Sequence, residues 1–143
     1  MRKLTTLVTM LATLGLSSLA AADHHEKLSG DYVLYLYFGD STPFEDTFQL
    51  KLDKNDQLAG DMQVPNDFVG PLLDIETTAD NIKFDLFVPT NAARPTDRLF
   101  RYVGVVHGGD ATIRLAGHVE IVAVNGIATE PQYVASFVAF KRN

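Results

Sequence analysis

The sequence predicts an all-β protein, a single antiparallel up-and-down barrel of about eight strands. Three observations predict it. Short runs rich in β-branched and aromatic residues follow one another at close spacing. Clusters of Gly, Asn, Asp and Pro of hairpin length separate them. Beyond a short N-terminal stretch, no run carries a helical period. A two-sheet β-sandwich with crossed connections is the alternative. Short, sequential connections favour the barrel, which leaves no free sheet edge.

Each element has its own signal. Tyr32–Phe38 is the first expected strand, closed by the turn residues Gly39 to Pro43. In Phe44–Leu52, Phe48, Leu50 and Leu52 alternate with Thr47, Gln49 and Lys51, the period of a half-buried strand. Asp53 to Asp56 turns the chain into a third strand, Leu58–Val64, which Pro65-Asn66-Asp67 ends. Leu72–Thr77 and Ile82–Val88 follow, on either side of Ala79-Asp80-Asn81. Pro89 to Asp97 is the longest clear loop. Leu99–Val106 is the sixth strand and Ala111–Val122 the seventh, joined by His107 to Asp110. Val124 to Pro131 reads as a connection into the last strand, Tyr133–Lys141. Gly60, Gly104 and Gly117 stand inside strands, where glycine admits a close neighbour or a bend.

Residues 1–22 read as a cleaved signal peptide: Arg2 and Lys3, a mostly apolar run, then Ala20-Ala21-Ala22. Thr5, Thr6, Thr9, Thr13, Ser17 and Ser18 make that run a poor permanent span. Residues 23–29 are then a flexible N-terminus and residues 30–143 the barrel domain, a size suited to one core. The expected compartment is the periplasm or the exterior.

Charge and cysteine content exclude several classes. Without Arg2 and Lys3, 10 Lys+Arg stand against 18 Asp+Glu, a net charge of −8. Such a surface repels nucleic-acid phosphates and anionic lipid. With no cysteine, the chain has no thiol chemistry, no zinc–thiolate site and no disulfide staple, so packing alone must hold it.

Gly30-Asp31-Tyr32 opens the first strand and Lys141-Arg142 closes the last. In this order of features the chain resembles the calycin-like, or lipocalin-like, small β-barrels of exported bacterial domains. Lipocalins carry Gly-x-Trp at the first of these places and an arginine that covers the aromatic at the second. Here Tyr32 stands for the Trp, and the resemblance spans residues 28–142. It implies a cup-shaped barrel that holds a small apolar ligand.

Five groups of residues are weighed for chemistry. Cleavage after Ala22 would expose Asp23-His24-His25. A free amine, two backbone amides and the third-position imidazole suit square-planar Cu or Ni, as an adventitious site. Cleavage after Ala20 would remove that arrangement. No cofactor is otherwise called for. Arg94, Arg98 and Arg101 cluster around the long loop, and a guanidinium fork binds carboxylates or phosphates. Arg101 is the head-group candidate if it shares an interior face with Leu99, Val103 and Val105. It is outside if Phe100, Tyr102 and Val106 point inward, and because both faces are apolar, parity leaves this open. Tyr32 and Tyr102 are candidate ligand-wall residues. His118 and Glu120 share one strand face and read as polar exterior. Asp46 and Asp110 are acids that spacing alone does not select.

The leading expectation is an exported, non-enzymatic barrel binding a small apolar or anionic amphipathic ligand. A protein-interaction or inhibitor module, using the aromatic strand or the Pro89–Asp97 loop, is the second reading. A cofactor-free enzyme is the third and has the least support.

Overall fold

The computed structural model describes residues 21–109 and 112–143. Eight strands follow in chain order: β1 (Gly30–Tyr37), β2 (Phe44–Leu52), β3 (Leu58–Val64), β4 (Phe68–Thr77), β5 (Asn81–Val88), β6 (Arg98–His107), β7 (Arg114–Val124) and β8 (Ile127–Lys141). Each pairs antiparallel with the next. Pairing of β1 with β8, through Leu34↔Ala139 and Leu36↔Phe137, closes the barrel. The architecture is therefore the barrel and not the sandwich, and no strand edge is left unpaired. The expected signal peptide lies outside the described residues apart from Ala21 and Ala22. So do Asp110 and the expected start of the seventh strand at Ala111.

Side-chain alternation decides what fills the interior. Tyr32, Leu34 and Leu36 of β1 point inward, as do Phe48 and Leu50 of β2 and Ile82, Phe84 and Leu86 of β5. An aromatic belt crosses the barrel at mid-height. Tyr32 stacks on Phe48 at 4.6 Å between ring centroids, and Phe84 stacks on Tyr102 at 4.8 Å. Phe48 meets Phe84 at 5.7 Å, and Tyr102 meets Phe137 edge-on at 5.6 Å. Gly104 makes room for Phe137: a Cβ there would sit 2.9 Å from the ring. Its cross-strand partner Gly117 lies against the Val103 carbonyl, which a Cβ would strike.

The two ends of the barrel differ. Residues 21–28 are helical and cover one end, where no strand pattern was legible. Leu28 is fully buried there, and its carbonyl accepts from the Tyr32 hydroxyl at 2.8 Å. Lys141 Nζ donates to the Lys27 carbonyl at 2.8 Å and ties this segment to the last strand. The stretch expected to be a flexible lead-in thus has a packed end. At the opposite end are the β1–β2, β3–β4 and β7–β8 turns and the loop of residues 89–97.

Two strand starts differ from expectation by four residues or more. The connection expected over Val124 to Pro131 is strand; only Asn125 and Gly126 turn, with φ of 49° and 74°. Asn-Gly adopts the left-handed pair of a type I′ hairpin, so β8 begins at Ile127. Pro131 falls where the register breaks, between Ile121↔Gln132 and Ala123↔Ala128, so its missing N–H interrupts no regular ladder. Likewise β4 begins at Phe68 rather than Leu72. Phe68 to Pro71 pair with Val64 to Asp61 across a turn in which Asn66 has φ 60°.

Candidate functional site

The uncovered end of the barrel holds a cavity of about 460 Å³. It lies one inward step above the aromatic belt. Asp46 is two residues from Phe48, Leu86 two from Phe84, and Ala135 two from Phe137. Leu36, Val64, Val88, Phe100, Tyr102 and Val119 complete walls that are almost wholly apolar. Where the belt fills the barrel with rings, the smaller side chains Val119, Val134 and Ala135 leave space. Phe38 and Phe44 stand at the mouth, edge to face at 5.6 Å, and are 39% and 61% exposed.

Four charged groups border this space: Asp46, Asp67, Arg94 and Arg98. Two of them neutralise one another. Arg94 donates through Nη1 to Asp67 Oδ2 at 2.9 Å and through Nη2 to Oδ1 at 3.3 Å. Its Nε donates to the Pro89 carbonyl at 2.8 Å, so the pair pins the long loop to the β3–β4 turn. The hydrogen bond from Arg94 holds the Asp67 carboxyl below the usual carboxylate range, with Asn91 adding to the effect. Arg98, the first residue of β6, faces the mouth half-buried. Its side chain makes no hydrogen bond or ion pair among the described residues.

Asp46 is the exception in the interior. It is 5% exposed and points into the cavity from β2, and its carboxylate has no hydrogen-bond or ion-pair partner among the described residues. Burial away from water, with the Asp67 charge adding to it, pushes its carboxyl up to about 6. Burial likewise raises the Tyr102 hydroxyl, and the Asp46 charge contributes. The strand pattern carried a signal for Asp46: it shares the parity of Phe48 and Leu50, the apolar face of its strand.

The residues singled out in the sequence fall in different places. Tyr102 lines the cavity. Tyr32 belongs to the packed belt below it, its hydroxyl committed to Leu28 and raised by burial. Arg101 is on the outer face, because Phe100 and Tyr102 take the inward positions of β6. It binds Asp85 of β5 in bidentate fashion, Nε and Nη2 each at 2.9 Å. The head-group role expected of Arg101 therefore has no cavity to serve, and the arginines at the mouth are Arg94 and Arg98. His118 and Glu120 lie on the exterior, as their shared face implied, 3.0 Å apart.

At the other end, His25 lies 2.9 Å from the Asp56 carbonyl through Nδ1 and 3.1 Å from Thr77 Oγ1 through Nε2. With both ring nitrogens engaged, a square-planar site on Asp23, His24 and His25 requires the helical segment to unwind after cleavage. No cluster of three or more metal-ligating side chains occurs among the described residues. Comparison of the chain with protein-family models, curated proteins and solved structures finds no match, so the geometry of this cavity carries the functional reading.

Proposed function

We propose that this protein is a non-enzymatic binding barrel, exported after removal of residues 1–22, which takes a small apolar or amphipathic ligand into its open end. The observation that carries this reading is the apolar cavity of about 460 Å³ above a solid aromatic floor. Its size is that of a small-molecule site, and so is its chemistry of apolar walls with a few polar groups. Asp67 is committed to Arg94, which leaves Asp46 as the one acid lining the cavity without a partner among the described residues. That favours holding a molecule over acid–base chemistry, which needs a second group in reach.

The test is a neutral, environment-sensitive fluorophore such as N-phenyl-1-naphthylamine. Saturable one-to-one enhancement that disappears in Ala135→Trp, a variant that fills the cavity, supports the reading. Absence of enhancement, or equal enhancement in the filled variant, refutes it. The second reading, a protein-interaction module, draws on the exposed Phe38–Phe44 pair at the rim and takes over in that case. The mass of the protein recovered from the producing cell tests export separately: loss of residues 1–22 is expected.

A further inference from the structure

The charges around the cavity are not equivalent. Arg98 is half-buried at the open mouth, where water can solvate it. Asp67 and Arg94 satisfy each other. Asp46 alone among them is almost fully buried and has a carboxylate with no partner among the described residues. A lone carboxylate in an apolar wall is costly when ionised, and an opposite charge brought in with a ligand removes that cost. The rest of the molecule points the same way, since a chain of net charge −6 draws cations towards it.

We propose that the cavity selects a hydrophobic amine: an apolar body that lies against the walls and one ammonium group that pairs with the Asp46 carboxylate. This rests on the ligand-binding reading above and reverses the sign of the head group expected from Arg101. The ammonium donates to both Asp46 oxygens, while the chain extends towards Leu86, Val119 and Ala135. Arg98 at the mouth disfavours a second cationic group on the same ligand.

The selection is pH-dependent in a defined direction. The groups facing Asp46 are Asp67 from the β3–β4 turn, Arg94 from the long loop, and Arg98 and Tyr102 from β6. Arg94 keeps Asp67 ionised, burial keeps Tyr102 protonated, and both arginines stay charged. Of these groups only Asp46, at about 6, changes charge between pH 5 and 7. Protonation removes the counter-ion, so amine affinity falls about tenfold from pH 7 to pH 5.

Calorimetric titration with octylamine, 1-octanol and octanoate tests this, since the three share a chain and differ in head group. At pH 7.5 octylamine is expected to bind about tenfold or more tightly than octanol. Asp46→Asn should bring octylamine down to the octanol level and leave octanol within about threefold. If that variant does not fold, the tenfold loss of octylamine affinity at pH 5, without a loss for octanol, is the equivalent result on the unaltered chain. Octanol binding as tightly as octylamine overturns the amine inference and leaves the cavity reading standing. Octanoate binding most tightly, with loss in Arg98→Gln, overturns it in favour of an anionic head. No binding by any of the three overturns both.

Discussion

Arg101 and Asp85 face each other across β5 and β6 on the outside of the barrel, joined by two hydrogen bonds of 2.9 Å. The carboxylate is the buried partner, 2% exposed, while the guanidinium side chain remains 34% exposed. Hydrogen bonding to Asp85 raises the Arg101 guanidinium further above its ordinary value, with Glu120 adding to it. The pair is a structural clamp between strands, and the residue that looked like a ligand anchor serves the fold.

Replacing Arg101 by Met therefore leaves Asp85 without its donors. The expected cost is about 1–3 kcal/mol in urea unfolding, moderated by the exposure of the guanidinium. Affinity for the cavity probe should not change. Loss of binding with unchanged stability would return Arg101 to the site.

Ionised Asp46 works against stability. Its carboxyl rises from 3.8 in the unfolded chain to about 6 in the folded one, so the native state holds the proton more tightly. Its favourable contribution is complete below about pH 3.8 and lost as pH rises through about 6. Asp46→Asn is expected to raise the unfolding free energy at pH 7 by about 2–3 kcal/mol and to change it little at pH 3.5. Destabilisation at pH 7 would mean that Asp46 has a partner when the protein is free in solution.

Gly117→Ala puts a methyl group into the Val103 carbonyl, an atom of the neighbouring strand that cannot step aside. The expected result is failure to fold or a loss of about 3 kcal/mol or more. Gly109→Ala is the control, because among the described residues, its chain neighbours aside, nothing lies within 4 Å of the added carbon. Equal behaviour of the two variants in a thermal melt would contradict the close β6–β7 approach.

Leu28 tests whether the helical segment belongs to the barrel. It is fully buried in the same core as Tyr32 and Leu34. Leu28→Ala should cost about 2–5 kcal/mol, the range for an aliphatic side chain removed from a packed core. A cost near zero would show that the segment leaves the barrel in solution. Amide exchange at Tyr32 and Leu115 then gives the extent of opening.

Most of the fold was legible in the sequence because strand patterns are local. The alternation through Phe48, Leu50 and Leu52 sets both the strand and its buried face, and polar clusters such as Asp53 to Asp56 set the turns. Asn125-Gly126 was equally local: it marks a type I′ hairpin, and reading Val124 to Pro131 as one connection hid it. Tertiary structure decided what local patterns leave degenerate. Both faces of β6 are apolar, so only the neighbours of that strand put Phe100 and Tyr102 inside and Arg101 outside against Asp85. The meeting of β1 with β8 depends on chain ends some hundred residues apart, and no local period encodes it. The site required both levels. Parity turned Asp46 inward, but small side chains on β7 and β8 across the barrel left it facing a cavity instead of a packed core. The carboxyl of Asp46 is raised by its burial among apolar walls and by the nearby Asp67 charge, both set by how the barrel closes.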